Sequence, residues 1–309
     1  MRKSKKTQLF YEYFEEWINL YKVDAVRPVT LDKYMMTLKW VRRLEPTLTL
    51  ENLSRRSYQE LLNGYAISHE KQTTLDFHHQ VKGTVLDAVD EGIIKTNPTR
   101  KVIIKGRTPG KKKIKFLNEY DSQQLIKQMQ LSDTINWDWF LLLILKTGLR
   151  FSEALALTPA DFDFNKQILT IDKTWNYKNT HGSFQKTKNE SSVRKVRIDW
   201  QLAMQFSQLI KNLKMNEPIF VDKNRIFNST VNNHLRVLCE QAQVPVISVH
   251  GLRHTHASLL LFANVSIATV AQRLGHSSMT TTQETYLHII KELEAKDSEK
   301  IMQQMAKLV

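Results

Sequence analysis

Apolar residues recur at helical spacing through residues 8–92. Phe10, Phe14, Trp17, Ile18 and Tyr21 follow the i, i+4, i+7 rhythm of one buried helix face. Pro28 and Thr30 open a second segment, in which Leu31, Tyr34, Met35, Leu38 and Val41 share a face. Tyr58, Leu61, Leu62 and Tyr65 predict a third helix, and Val81, Val85 and Val89 a fourth that stops at Gly92. Four short helices make a small bundle, and their aromatic and Met positions read as core. Asn97-Pro98 ends this block.

A second block starts near Phe116. Asn118 or Ser122 caps a helix reaching about Gln130, and residues 137–146, apolar on nearly all sides, predict a central helix. The rhythm then changes to period two in residues 167–177 and 193–198, the signature of strands, with a polar, turn-rich stretch at 179–192 between them. Helical spacing returns at Trp200 and continues to the C-terminus. The expected fold class is mainly α with a small antiparallel β-sheet.

Composition narrows the function. The 309 residues hold 45 Lys and Arg against 31 Asp and Glu, a formal charge of +14. More than half of that surplus lies in residues 100–115 (RKVIIKGRTPGKKKIK), with eight basic residues and no acid. Such a strap, made of Lys101, Lys105, Arg107, Lys111, Lys112, Lys113 and Lys115 within it, suits a phosphate backbone, where counterion release drives binding. Nine Gly and seven Pro are too few for a collagen-like or low-complexity chain. The longest apolar run, residues 139–145, is far short of the roughly 20 residues of a membrane span, and the basic start MRKSKKTQLF leads into no apolar signal core. One cysteine, Cys239, excludes an intrachain disulfide. A soluble cytoplasmic protein is expected.

Four places could carry chemistry. Thr147-Gly148-Leu149-Arg150 breaks the central helix and sets Arg150 one turn before Glu153, where a carboxylate-held guanidinium suits bidentate phosphate binding. Alone, such an Arg is more often a structural ion pair. His250 and Arg253, three apart, present an imidazole and a guanidinium on one helix face. His250 and His254 could instead hold a metal, but no Glu stands between them and no cysteine is near, so no metal is expected. Gly275-His276 and Tyr286 form the third place, and Lys186 with Lys188 on the turn-rich stretch the fourth. Singly, these read as a cap, a packed ring and exposed lysines.

Their order is more specific than any one of them. TGLRFSEALAL (147–157), HGLRHTHASLLL (250–261) and LGHSSMTTTQETYLH (274–288) resemble the motifs of the tyrosine recombinases, the phage-type integrases. The resemblance spans nearly the whole chain. It implies a helical core-binding DNA-binding domain at 1–99, a basic interdomain linker at 100–115, a mixed α/β catalytic domain at 116–290 and a tail helix at 291–309. In the tail, Ile301, Met305 and Leu308 form an apolar stripe that by itself describes packing on the chain's own domain, whereas the resemblance implies docking on a neighbouring protomer.

By the same resemblance, Tyr286 attacks a DNA phosphate to give a 3′-phosphotyrosine. His250 is the base or a partner in that proton transfer, and Arg150, Arg253 and His276 steady the phosphate. Lys186, with Lys188 in reserve, protonates the leaving 5′-oxygen, and Glu153 orients a catalytic group. No cofactor is implied. The partners are duplex DNA, further copies of the chain in a synaptic tetramer, and accessory bending or directionality factors on a bacterial nucleoid. The alternatives are a chromosome-dimer or transposon resolvase of the same chemistry, and a non-catalytic DNA-binding scaffold.

Overall fold

The computed structural model describes residues 8–110, 114–178, 182–187, 189–222, 225–286, 302 and 305–306. Two compact units divide the chain between Lys112 and Lys113.

The first unit is built on helices α1 (Phe10–Tyr21), α2 (Pro28–Leu44), α3 (Arg55–Ala66) and α4 (Lys71–Asp90). Phe10, Phe14, Trp17 and Ile18 of α1 meet Leu38 and Val41 of α2, Tyr58, Leu61 and Leu62 of α3, and Phe77, Val81 and Val85 of α4 in one core. Tyr21 and Met35, expected on buried faces, are 44% and 37% exposed. Tyr21 ends its helix, and Met35 falls at the edge of the stripe that Leu38 and Val41 define.

The basic segment is not free along its whole length. The Gln59 side chain clasps Ile103 from both sides, accepting from its N–H and donating to its carbonyl at 2.8 Å each. Arg55 donates to the Lys101 carbonyl, and Val102 and Ile104 pack against the core. Arg107 closes the run by donating its backbone N–H to His69 and its Nε to Ile67, both at carbonyl oxygens. Lys101, Lys105 and Arg107 are therefore exposed side chains on a backbone fastened to this unit. Lys111, Lys112 and Lys113 lie outside the described residues, and Lys115 belongs to the second unit.

The second unit begins with α5 (Glu119–Gln128), capped by Asn118, whose side chain accepts from Asp121 N–H at 2.7 Å. Then come α6 (Trp137–Thr147) and α7 (Phe151–Leu155). Strands β1 (Phe162–Asp163), β2 (Ile168–Ile171), β3 (Lys173–Trp175), β4 (Phe184–Lys186) and β5 (Arg194–Arg197) follow. The sheet has antiparallel order β1-β2-β5, with Leu169 opposite Val196, while β3 and β4 form a separate hairpin. Helices α8 (Trp200–Leu209), α9 (Asn228–Gln241), α10 (Val249–Phe262) and α11 (Ile267–Leu274) complete the named elements, and residues 279–286 are helical.

Helix α6 is buried on nearly all sides and packs against α10, which brings the ends of both to one place. The helical run expected without interruption from Trp200 breaks after Leu209, where Asn212, Asn216 and Pro218 disfavour helix. Strand β4 lies inside the stretch read as turn. Most of the tail, Ile301 and Leu308 included, lies outside the described residues. Among the described residues no helix is long and apolar enough to cross a membrane.

Candidate active site

Helix α6 ends because Gly148 turns left-handed, at φ +72°. A Cβ there would sit 2.7 Å from the His256 ring and 2.8 Å from Leu274, so only glycine fits the turn. The turn delivers Arg150 to the N-cap of α7. Glu153, one turn on, accepts from the Arg150 backbone N–H at 3.0 Å and from its Nη1 at 2.5 Å. Nη1 also reaches Ser192 Oγ (3.2 Å), and Nη2 donates to the Gly275 carbonyl (2.9 Å).

Glu153 is 1% exposed and serves a second cation. Arg194 of β5 donates from Nη2 to Glu153 Oε2 at 2.9 Å, and its other nitrogens bind the carbonyls of Ser192 and Arg273. Burial alone would raise the Glu153 carboxyl; Arg194 and Arg150 more than reverse this and hold it below the ordinary carboxylate range.

Helix α10, capped by Ser248, supplies Arg253 from its buried side. Among the described residues no carboxylate is bonded to it. Nη1 donates to the Gly148 carbonyl at 2.6 Å and Nη2 to the Leu274 carbonyl at 2.8 Å. Both acceptors lie at helix C-termini, where the peptide dipoles carry partial negative charge. Desolvation, then Arg150, pushes the Arg253 guanidinium down to about 9, so it remains cationic at neutral pH.

The imidazoles and the phenol complete the cluster. His254 Nδ1 lies 2.9 Å from Tyr286 Oη, and the His250 ring meets His254 edge-on at 4.7 Å. His250 itself is solvent-accessible; crowding by protein, then Arg253 and Arg150, lowers its pKa. Desolvation, then His250, Arg253 and Lys115, pushes His254 down to about 4. His276 Nδ1 is 2.7 Å from Thr282 Oγ1, and desolvation with Arg253 and Arg150 pushes that ring also to about 4. Tyr286 is 2% exposed, packed on Ala257, Leu261, Val270 and Leu274. Burial raises its phenol to about 12, with Arg253 pulling the other way.

The structure thus brings Arg150, Glu153, His250, Arg253, His276 and Tyr286 into one cluster, with Lys115 beside His254. Lys186 is not joined to it. It ends β4 as an exposed side chain opposite Lys173, and Lys188 lies outside the described residues. Among the described residues, no group of three or more His, Cys, Asp or Glu side chains could hold a metal ion.

The phage integrase family matches residues 115–292, more than half of the chain. The chain belongs to the phage integrase family. It is a tyrosine-type site-specific recombinase. The integrase of Staphylococcus phage L54a is 26% identical to this recombinase over 332 aligned positions, covering 96% of this chain and 93% of that one. A XerC-like tyrosine recombinase of Caldanaerobacter subterraneus is 30% identical over 66% of this chain, which spans only 59% of that relative. Among solved structures, the Tn1549 transposon integrase in complex with a circular intermediate DNA has a TM-score of 0.73 at 18% identity, covering 90% of this chain and 94% of that one. At that identity the likeness is one of fold.

Three members of the recombinase's cluster were given no role by sequence analysis: Arg194, His254 as a partner of Tyr286, and Thr282. For Arg194 a signal existed. It shares strand phase with the buried Val196, and a cation on the inward face of a strand calls for a buried carboxylate. His254 and Thr282 act through folding contacts that no local pattern announces.

Proposed function

We propose that this recombinase is the integrase of a phage or other mobile element, cutting and rejoining duplex DNA through a 3′-phosphotyrosine link. Tyr286 Oη attacks phosphorus, the Oη–P bond forms and the P–O5′ bond breaks. An imidazole of α10 takes the phenolic proton, and Lys186 protonates the departing 5′-oxygen. Arg150, Arg253 and His276 donate to the nonbridging oxygens as charge builds there, and Glu153 holds Arg150 in place. The link conserves the energy of the broken bond, so rejoining needs no nucleotide cofactor, and the cationic cage takes the part a metal would play.

The observation that carries this reading is the charge balance. Three guanidiniums, Arg150, Arg194 and Arg253, surround one carboxylate, leaving positive charge beside a buried phenol. Exposed Lys101, Lys105 and Arg107, with Lys111–Lys113 and Lys115, take the flanking phosphates. One nucleophile per chain and four strands in two recombining duplexes call for a tetramer. The near full-length match to a phage integrase favours a mobile element over chromosome-dimer resolution. DNA-bending or directionality factors and a place on the bacterial nucleoid complete the reading.

The test is a nicked suicide duplex that traps the covalent adduct. Sequencing the captured end reports polarity and site together: an end from an element's attachment site is expected, and a chromosomal dimer-resolution site would favour the resolvase. Tyr286→Phe should cut adduct formation by about 10³-fold or more while duplex binding holds. An adduct from that variant overturns the assignment. Cleavage should persist in excess EDTA; its loss would bring back a metal held by His250 and His254.

A further inference from the structure

We propose that Arg194 is a positioning residue for phosphate binding: it takes up the charge of Glu153 and so leaves the Arg150 cation uncancelled before the DNA. The proposal rests on the reading above that Arg150 donates to the scissile phosphate.

Arg194 is a buried counterpart of Arg150, because the same three segments hold both guanidiniums. Glu153 offers Oε1 to Arg150 Nη1 at 2.5 Å and Oε2 to Arg194 Nη2 at 2.9 Å. Ser192 accepts from Arg150 Nη1 at its hydroxyl (3.2 Å) and from Arg194 Nη1 at its carbonyl (2.9 Å). At the end of α11, the Arg273 carbonyl accepts from Arg194 Nε (2.7 Å) and the Gly275 carbonyl from Arg150 Nη2 (2.9 Å). What separates the two is access. The Arg150 side chain is 32% exposed and that of Arg194 only 5%, so Arg150 can meet an incoming phosphate while Arg194 is enclosed by protein. A Cβ at Gly275 would stand 3.0 Å from Arg194 Nη1, so the turn that leads into His276 closes directly over this guanidinium.

Electrostatics gives the second cation its purpose. Arg150 paired with Glu153 alone would be neutral overall, and the carboxylate would repel the phosphate that the guanidinium attracts. Burial raises the Glu153 carboxyl, and Arg194 does more than Arg150 to bring it down. Glu153 is thus chiefly the counter-ion of Arg194, and among the described residues no other carboxylate is bonded to Arg194. With Arg194 in place, three guanidiniums stand against one carboxylate, an excess of two positive charges; without it the excess is one. Arg194 never touches phosphate, yet its charge acts there in a setting where water screens little.

The experiment compares Arg194→Met, Arg194→Lys, Arg150→Met and the double variant Arg194→Met with Glu153→Gln, all in the full chain. Each meets the suicide duplex in two forms, an ordinary scissile phosphate and a methylphosphonate, in which a methyl group replaces one charged nonbridging oxygen. The neutral centre asks less of the cations, so the ratio of the two cleavage rates reads positive charge at the phosphate. Arg194→Met should cleave the phosphate about 10–10²-fold slower, a smaller loss than deleting a direct donor. Its methylphosphonate rate should fall much less, so the ratio drops. Arg194→Lys keeps the charge and should keep the wild-type ratio. The double variant restores the excess of two charges, and its ratio should return to that of wild type.

A merely structural Arg194 would slow both substrates alike. The proposal is overturned if Arg194→Met keeps the wild-type ratio, if Arg194→Lys loses as much of it as Met does, or if the double variant stays as low as Arg194→Met. The ratio is internal to each variant, so a partly destabilised protein still decides. Should Arg194→Met fail to fold, the Lys and double variants carry the comparison without leaving a buried ion half-paired. A wild-type ratio in Arg150→Met would instead sink the underlying reading.

Discussion

The two units bury polar groups in opposite ways. In the helical unit, buried groups meet neutral or single partners: Tyr58 Oη lies 3.0 Å from His78 Nδ1, and Thr37 donates to Gln80 at 2.6 Å. Burial raises the Tyr58 phenol and pushes His78 down to about 4, so that pair stays uncharged at neutral pH. The second unit buries Arg194, Arg253 and Glu153 almost completely and Arg150 by about two-thirds. Removing an ion from water costs several kcal/mol even after relaxation. A core that needs only to hold together meets its polar groups as the helical unit does. Keeping more guanidinium than carboxylate stores a cost that an arriving anion repays.

The largest test of this contrast is Glu153→Gln. It leaves Arg150 and Arg194 without a counter-ion and should destabilise the catalytic unit by about 3–5 kcal/mol. Denaturant-dependent hydrogen exchange, read separately for the two units, would show the loss in residues 114–286 and none in 8–110. Wild-type stability in this variant would mean that charge balance does not govern the cluster.

Acidification gives the next largest effect. The fold holds His254 and His276 at about 4 and His256 at about 3, whereas the unfolded chain takes up those protons near 6.5. Their contribution is complete above about 6.5 and is lost as pH falls toward 4, with Glu153 adding its own loss below the ordinary carboxylate range. The helical unit's counterpart is His78. Between pH 7 and pH 5 the catalytic unit should lose more stability, and equal losses would erase the distinction. The smallest effect belongs to Tyr58→Phe. It should cost about 1–2 kcal/mol by stripping His78 of its partner, with cleavage at saturating DNA unchanged.

Sequence legibility followed the same divide. Helices α1 to α4 face one core, so period 3.6 revealed them, and α6 stood out because it is apolar all round. Strand β4 stayed hidden because all three of its residues are exposed, leaving no alternation to detect. The charge of residues 100–115 was plain, but the Gln59 clasp on Ile103 joins residues 44 apart and left no local trace. Arg150, His250, Arg253, His276 and Tyr286 could be read from the order of three motifs. Arg194 could have been read from strand phase. The pairing of His254 with Tyr286 spans 32 residues and became visible only once the chain had folded.

Arg253 is fastened by main-chain oxygens, and this changes where the site is vulnerable. Alanine scanning cannot delete a carbonyl, so neither anchor would register at an acidic position. They would register at Gly148 and Gly275, both left-handed, whose turns aim the ends of α6 and α11 at the guanidinium. A swap to alanine at either position would disarm the cation by moving backbone oxygens, with no acidic side chain changed.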